Sequence, residues 1–270
     1  MLELLLSLFL LFWRIPVVHA QELKTDLIWQ KDRFDQEIAT VKATYQAQLE
    51  TYLYHEKLYR IAYDQNQQLQ TLVSIEDLTQ KGKNLGIYRD DVLISYLDLL
   101  RLKLVSTEGV ELSLKERYLN RLESTITYLK NHQENLKNLS SRDEVANSLA
   151  VFAAEQGGVG NLANEVQVLL SIGNIQAIYD KSVVLKKDID AYLLARDTAD
   201  LPAIERASLE TGRSLDAAKL KLDAFWNDII NRGQGNWYIA KIYDELPKTL
   251  NPIYVNLSQS LSYLNELLSL

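Results

Sequence analysis

Apolar residues recur at alternating steps of three and four along almost the whole chain, with no sustained period of two. A 3.6-residue repeat places such residues on one face of an α-helix, whereas a half-buried strand would need alternation. Residues that interrupt helices are scarce, with ten glycines and four prolines among 270 residues. The pattern predicts an all-α fold of seven or eight antiparallel helices in an elongated up-down bundle with coiled-coil-like seams.

The first predicted helix is unusually long and runs from about Thr25 into the seventies. Its apolar stripe comprises Phe34, Ile38, Val41, Tyr45, Gln48, Tyr52, His55, Tyr59 and Ala62. Some 45 residues at about 1.5 Å each would form a rod of roughly 65–70 Å. A compact domain cannot cover such a rod throughout, so we expect part of this helix to stand exposed.

Glycine, proline and capping patterns predict where the helices end. The interruptions are expected at Lys81–Gly86, Thr107–Gly109, Gly157–Gly160, Gly173, Asp200–Pro202 and Arg232–Gly235, and Pro247 and Pro252 are expected to kink or break the last helix. Ser113–Glu116 and Ser141–Glu144 match the capping box, in which serine and glutamate satisfy each other's backbone amides. The clearest seam lies in the third helix and consists of Leu119, Leu122, Ile126, Leu129, Gln133 and Leu136.

The N-terminal segment has the length and composition of a secretory signal. Leu4–Trp13 is apolar apart from Ser7, which is too short to span a bilayer and suits a signal h-region. The small Ala20 fits a cleavage site, although no Lys or Arg precedes the apolar run, and an uncleaved anchor or buried helix is the alternative. We therefore predict a signal peptide at 1–20, an N-terminal helical half at 21–140 and a C-terminal bundle at 141–270, in a secreted or cell-envelope protein. No transmembrane segment is expected in the mature chain.

Composition removes several classes of chemistry. Without cysteine the chain has no disulfides, thiolate metal sites or cysteine nucleophile. A net charge of −7 argues against nucleic acid as the partner. The histidines of the mature chain, His55 and His132, lack the Glu-x-x-His spacing of a di-iron bundle and the His-Glu-x-x-His spacing of zinc proteases. We predict no metal and no cofactor.

Three further patterns resemble sites but have simpler interpretations. Gly158–Ala163 matches Gly-x-Gly-x-x-Ala, yet a helix precedes it where dinucleotide binding needs a strand. Asp90 and Asp91 suit the first turn of a helix, where negative charge opposes the helix dipole, and are expected on a solvated face. Asp188 and Asp190 diverge around their helix and are not expected to share a ligand. We predict no catalytic residues and no enzyme.

Aromatic residues provide the nearest approach to a binding site. Trp226, Trp237 and Tyr238 flank the glycine-containing turn at 231–236, and they form the predicted partner-binding tip. Packing of Trp226 and Trp237 as an aromatic staple of the hairpin is the alternative. The other tyrosines of the Tyr-Leu strings, such as Tyr96 and Tyr118, are interpreted mainly as core or rim residues.

Residues 89–139 carry a resemblance to a known group of proteins. The strings Arg89-Asp90-Asp91, Tyr96–Leu100, Leu119–Leu122 and Tyr128-Leu129 resemble uncharacterised exported all-helical proteins of candidate-phyla (Patescibacteria-type) bacteria. The similarity covers about a fifth of the chain. It implies a bacterial envelope or extracellular setting and transfers no functional residue.

Three functions remain open at this point. The first is an exported, non-enzymatic helical scaffold that mediates protein–protein interaction or self-association at the cell envelope. The second is a sensor or chaperone-like bundle that binds a small molecule or peptide between helices, in a pocket lined by tyrosines and tryptophans. The third is a hydrolase, because carboxylates distant in sequence can meet in a fold.

Overall fold

A computed structural model describes residues 16–194, 201–232 and 236–269, with side chains described for 32–194, 202–230 and 242–269. The described residues are all-helical and contain no strand. Their six helices are α1 (Pro16–Leu69), α2 (Leu72–Ser106), α3 (Leu112–Asn138), α4 (Arg142–Leu194), α5 (Leu201–Arg232) and α6 (Asn236–Ser269). The prediction of an all-α fold is confirmed, but the predicted seven or eight helices reduce to six in this part of the chain. The predicted signal at 1–20 lies mostly outside it and stays a prediction, as does the division near residue 140.

Helix α4 is the element on which the core is assembled. Its 53 residues correspond to roughly 80 Å, and it contacts α2, α3, α5 and α6. The main apolar core joins these five helices, with α4 contributing Phe152, Leu162, Val166, Leu169 and Ile172. By length and composition α4 is also the one described helix apolar enough to cross a membrane.

The seam predicted in α3 forms part of this core. Leu122, Ile126, Leu129 and Leu136 are buried, whereas Leu119 and Gln133 are half-buried. The capping box at the start of α4 is also confirmed. The backbone N–H of Glu144 donates to Ser141 Oγ at 3.3 Å, and the N–H of Ser141 donates to Glu144 Oε2 at 3.1 Å. The capping box predicted at Ser113–Glu116 is wrong, because Glu111 is the N-cap and the Ser113 hydroxyl donates to the Glu111 carboxylate instead.

Several predicted interruptions lie inside helices. Lys81–Gly86 is part of α2, because Gly82 and Gly86 mark close helix approach rather than a turn. A Cβ on Gly82 would lie 3.3 Å from the Tyr59 ring, and one on Gly86 would lie 2.7 Å from Leu136. Their missing side chains let α1, α3 and α4 approach α2 closely.

The helix ends predicted within α4 are also wrong, and α6 does not break at Pro247 or Pro252. Gly157–Gly160 and Gly173 are helical, because buried residues on both sides, such as Phe152 and Leu162, hold α4 together across them. Pro247 and Pro252 lie within α6 on its exposed side. The buried stripe of α6 continues past both prolines and comprises Leu246, Leu250, Ile253 and Leu257. Core packing therefore outweighs the local cost of these residues.

Glycine-to-alanine substitutions should distinguish glycines that pack closely against a neighbouring helix from glycines on an open surface. A Cβ on Gly109, in the α2–α3 turn, would fall on the backbone carbonyl of Gly173 and within 2.7 Å of the Ala177 amide nitrogen. We expect Gly109→Ala to lower the free energy of unfolding by about 1–3 kcal/mol, since backbone must move. Gly158→Ala is the matched control because nothing lies within 4 Å of its Cβ, and it should raise stability by roughly 0.5–1 kcal/mol. Urea denaturation measures both, and equal effects would contradict the packing described.

Candidate functional site

The predicted aromatic tip is only partly described. Trp226 is half-buried against the main core, and its indole N–H donates to Gln176 Oε1 at 3.1 Å. The side chains of Trp237 and Tyr238 lie outside the described residues, so the tip stays a prediction. The position of Trp226 agrees with the packed half of the staple alternative.

A buried polar cluster joins three helices instead, and it is the candidate site. Arg89 and Asp90 lie on α2, His132 on α3 and Ser148 on α4. Asp90 follows Gly86 by one turn on the buried face of α2, and its side chain is completely buried. The prediction that Asp90 belongs to the first turn of a helix on a solvated face is therefore wrong.

The helix registers explain why these residues meet. His132 is three residues after Leu129 and four before Leu136, so it occupies the buried seam of α3. On α4, Ser148 is three residues after the buried Val145 and four before the buried Phe152. Both residues therefore point towards the interface where α2, α3 and α4 pack together.

Distances within the cluster define a chain of hydrogen bonds. His132 Nδ1 lies 2.6 Å from Asp90 Oδ2. His132 Nε2 lies 3.1 Å from Ser148 Oγ and 3.4 Å from the backbone oxygen of Ser148. An ionised carboxylate only accepts hydrogen bonds, so Nδ1–H donates to Asp90 in the neutral ring. Nε2 then carries the lone pair that accepts the Ser148 hydroxyl proton.

Arg89 completes the electrostatics of the cluster. Its Nε and Nη2 groups donate to Asp90 Oδ1 at 3.2 and 3.1 Å, so each carboxylate oxygen has its own partner. The guanidinium also lies over the Phe152 ring, 3.3 Å from its centroid. Burial raises the pKa of Asp90 above its ordinary value, while the hydrogen bond from His132 and the charge of Arg89 oppose that rise. Burial lowers the pKa of Arg89, and Asp90 opposes the change.

One side of the cluster reaches the surface. Ser148 is half-buried and borders a shallow cavity of about 380 Å³ at the start of α4. The other lining residues are Asn135, Asn138, Leu139, Glu144 and Asn147. His132 and Asp90 therefore lie behind a serine that solvent can reach.

Other polar contacts join neighbouring helices. Gln133 Nε2 donates to Asp91 Oδ1 at 2.6 Å, which joins α3 to α2. Gln167 on α4 donates to the Tyr96 hydroxyl at 2.6 Å and accepts from the Tyr243 hydroxyl at 3.0 Å. These two tyrosines pack at the edge of the main core, as predicted for the Tyr-Leu string at Tyr96.

The other predicted carboxylate and histidine positions are also described. Asp190 accepts from Lys186 and Ser208 while Asp188 is exposed, so the two carboxylates do not share a partner. His55 is stacked on Tyr88 with ring centroids 4.1 Å apart, and burial together with the charge of Lys81 lowers its pKa. Among side chains that the structure describes, no group of three or more histidine, aspartate or glutamate residues could hold a metal ion.

A larger open cleft of about 910 Å³ lies where α1 passes the end of α2 and the middle of α4. Its lining includes Arg33, Phe34, Glu37, Glu108 and Lys181, with no tyrosine or tryptophan. It therefore differs from the aromatic pocket that a sensor or chaperone-like module was predicted to have.

No family model, curated protein or solved structure matches the chain.

Proposed function

We propose that the chain is an exported, elongated helical scaffold at the cell envelope. It associates with a second copy of itself through non-covalent contacts between exposed surfaces. The observation that carries this proposal is the hairpin of α1 and α2. Helix α1 contacts only α2 among the described helices, and its described side chains are covered along the predicted stripe and at a few adjacent positions such as Leu49, Leu58 and Asn66. Among the described side chains of α1, Ala62 is the one buried apolar residue, and none belongs to the main core. A helix of this length has a role other than core formation.

The end of this hairpin extends beyond the rest of the bundle. Lys83 Nζ donates to the backbone oxygens of Lys137 and Leu139 at 2.5 and 2.9 Å, so the α3–α4 turn lies beside Lys83. The part of α2 before Lys83 projects further by roughly 15 Å, at about 1.5 Å per residue. We call the projecting residues 60–82, which comprise the end of α1, the turn and the start of α2, the hairpin tip.

The hairpin tip presents apolar side chains on a fixed turn. Leu69, Leu72 and Val73 are 62%, 71% and 74% exposed. Thr71 and Ser74 form a reciprocal capping box at the start of α2. The Ser74 hydroxyl also lies 3.1 Å from Asn66 Oδ1, which ties the turn to α1. Exposed apolar groups on an ordered turn are typical of an interaction surface.

The charges around the hairpin tip favour a second copy as the partner. Acidic and basic residues alternate there, with Glu56 and Arg60 paired on α1 and Asp77 and Lys81 paired on α2. A two-fold contact brings the same surface together with itself, so a patch of one sign would repel its copy. A surface with both positive and negative charges around an apolar centre avoids this electrostatic repulsion.

Light scattering of the purified full chain tests this proposal. We expect a dimer or larger species, and Leu72→Asp should shift it to the monomer because a carboxylate would be buried without a partner. Leu220→Asp is the matched control, since Leu220 on α5 is 73% exposed and lies away from the hairpin tip. A monomer at every protein concentration, or equal effects of both variants, would contradict self-association through this surface.

A further inference from the structure

We infer that Ser148 is an activated nucleophile and that Asp90, His132 and Ser148 form a site for hydrolysis of small esters. This inference is independent of the scaffold role and runs against the sequence-based expectation of no enzyme. The expectation rested on motif spacing. Asp90 and His132 are 42 positions apart, and His132 and Ser148 are 16 apart, so no short motif connects them.

The carboxyl group, the imidazole and the hydroxyl contact one another in the order that activation of a serine requires. A base must accept the hydroxyl proton, and a third group must hold the base in the tautomer that can do so. His132 Nε2 is 3.1 Å from Ser148 Oγ, while Nδ1 is 2.6 Å from Asp90. The opposite ring nitrogens of one histidine therefore face the serine and the carboxylate.

Burial holds this arrangement in place. Asp90 is completely buried and His132 nearly so, which fixes the ring between the carboxylate and the serine. Arg89 donates to the other oxygen of Asp90, which fixes the orientation of that carboxyl group beside His132. Asp90 is thus a positioning residue that acts through His132, and Arg89 positions Asp90.

The cavity beside Ser148 accommodates a small polar acyl group. Its volume is about 380 Å³, and three of its six lining residues are asparagines, with one carboxylate, Glu144. Asn135 and Asn147 line this cavity, so their side-chain N–H groups are the donors available to a developing oxyanion. The Glu144 carboxylate disfavours an anionic substrate, which points to an uncharged or cationic acyl group.

The reaction balances without a cofactor. Ser148 Oγ bonds to the ester carbonyl carbon while its proton passes to His132 Nε2. The ester C–O bond then breaks, and the departing alkoxide takes that proton and leaves as an alcohol. Water attacks the acyl-serine with His132 again as base, which releases the acid and restores Ser148.

The first experiment labels the full chain with a fluorophosphonate. The Ser148 oxygen–phosphorus bond forms, the phosphorus–fluorine bond breaks, and His132 takes the hydroxyl proton as fluoride leaves. We expect one adduct, mapped to Ser148 by tandem mass spectrometry, with exposed Ser140 unlabelled as an internal control. General-base activation predicts a rate roughly 10²–10⁴-fold above that of an ordinary serine. The same probe in urea should not label Ser148, because unfolding separates the three residues without any substitution.

Substitutions and an ester-hydrolysis assay complete the test of this site. Ser148→Ala should abolish release of p-nitrophenol from p-nitrophenyl acetate while circular dichroism stays unchanged. Asp90→Asn should lower the labelling rate at least about 100-fold, because the amide no longer enforces the Nδ1–H tautomer. If native Ser148 carries no adduct, or if its labelling persists in urea, the assignment of Ser148 as an activated nucleophile is overturned. An adduct without ester turnover would overturn the hydrolytic role.

Discussion

Asp90→Ala is expected to lower the free energy of unfolding by about 3–5 kcal/mol. The carboxylate is the shared partner of Arg89 and His132, and it is completely buried. Its removal leaves the largely buried guanidinium without its counter-ion, and breaking a buried ion pair from one side typically costs this much. His132 Nδ1 would also lose its hydrogen-bond acceptor. Equilibrium urea denaturation followed by circular dichroism measures the change.

Asp98→Ala is the control for that experiment. Asp98 lies on the same helix and pairs with Arg101 at 2.8 Å, but both side chains are about one-third exposed. Exposed pairs of this kind contribute about 0–1 kcal/mol, so we expect a small effect. A loss below about 1 kcal/mol for Asp90→Ala, or a loss equal to that of Asp98→Ala, would mean that the cluster is not a buried network.

The fold class could be predicted because it follows from local periodicity. Buried positions such as Leu122, Ile126 and Leu129 in α3 recur at the helical period. The cap at Ser141 and Glu144 was equally visible, since a capping box spans only four residues. Such features depend on residues within one or two helical turns of each other, so the local sequence is sufficient to predict them.

Helix ends were harder to predict from the sequence, because glycine occurs both in turns and at positions where two helices pack closely. Gly82 and Gly86 have the appearance of a loop in sequence, yet they allow close packing of helices from distant parts of the chain. Gly157 and Gly158 have no packing neighbour for a Cβ, and they stay helical because α4 buries residues on both sides of them. Only the tertiary contacts distinguish these cases from a turn.

The candidate site was missed for the same reason. Motif spacing assigns no role to His132, because no metal-binding neighbour lies on its own helix, but its position between Leu129 and Leu136 indicates a place on the buried seam. A histidine and an aspartate on the buried faces of amphipathic helices need polar partners, because unpaired buried polar groups are costly. Periodicity places each residue on a buried face, but it does not say which helices share that interface.

Ile126→Ala is expected to lower the free energy of unfolding by about 2–5 kcal/mol, through lost burial and the cavity that remains. Ile126 is 3% exposed and belongs to the main core, where α3 packs with α2 and α4. Ile230→Ala is the matched control, because Ile230 on α5 is 53% exposed and should change stability by less than about 0.5 kcal/mol. Chemical denaturation compares the two variants. Because Ile126 lies six residues before His132 on α3, a loss under about 0.5 kcal/mol would mean that this face of α3 meets solvent, and His132 would then lack the packed interface that holds it against Asp90.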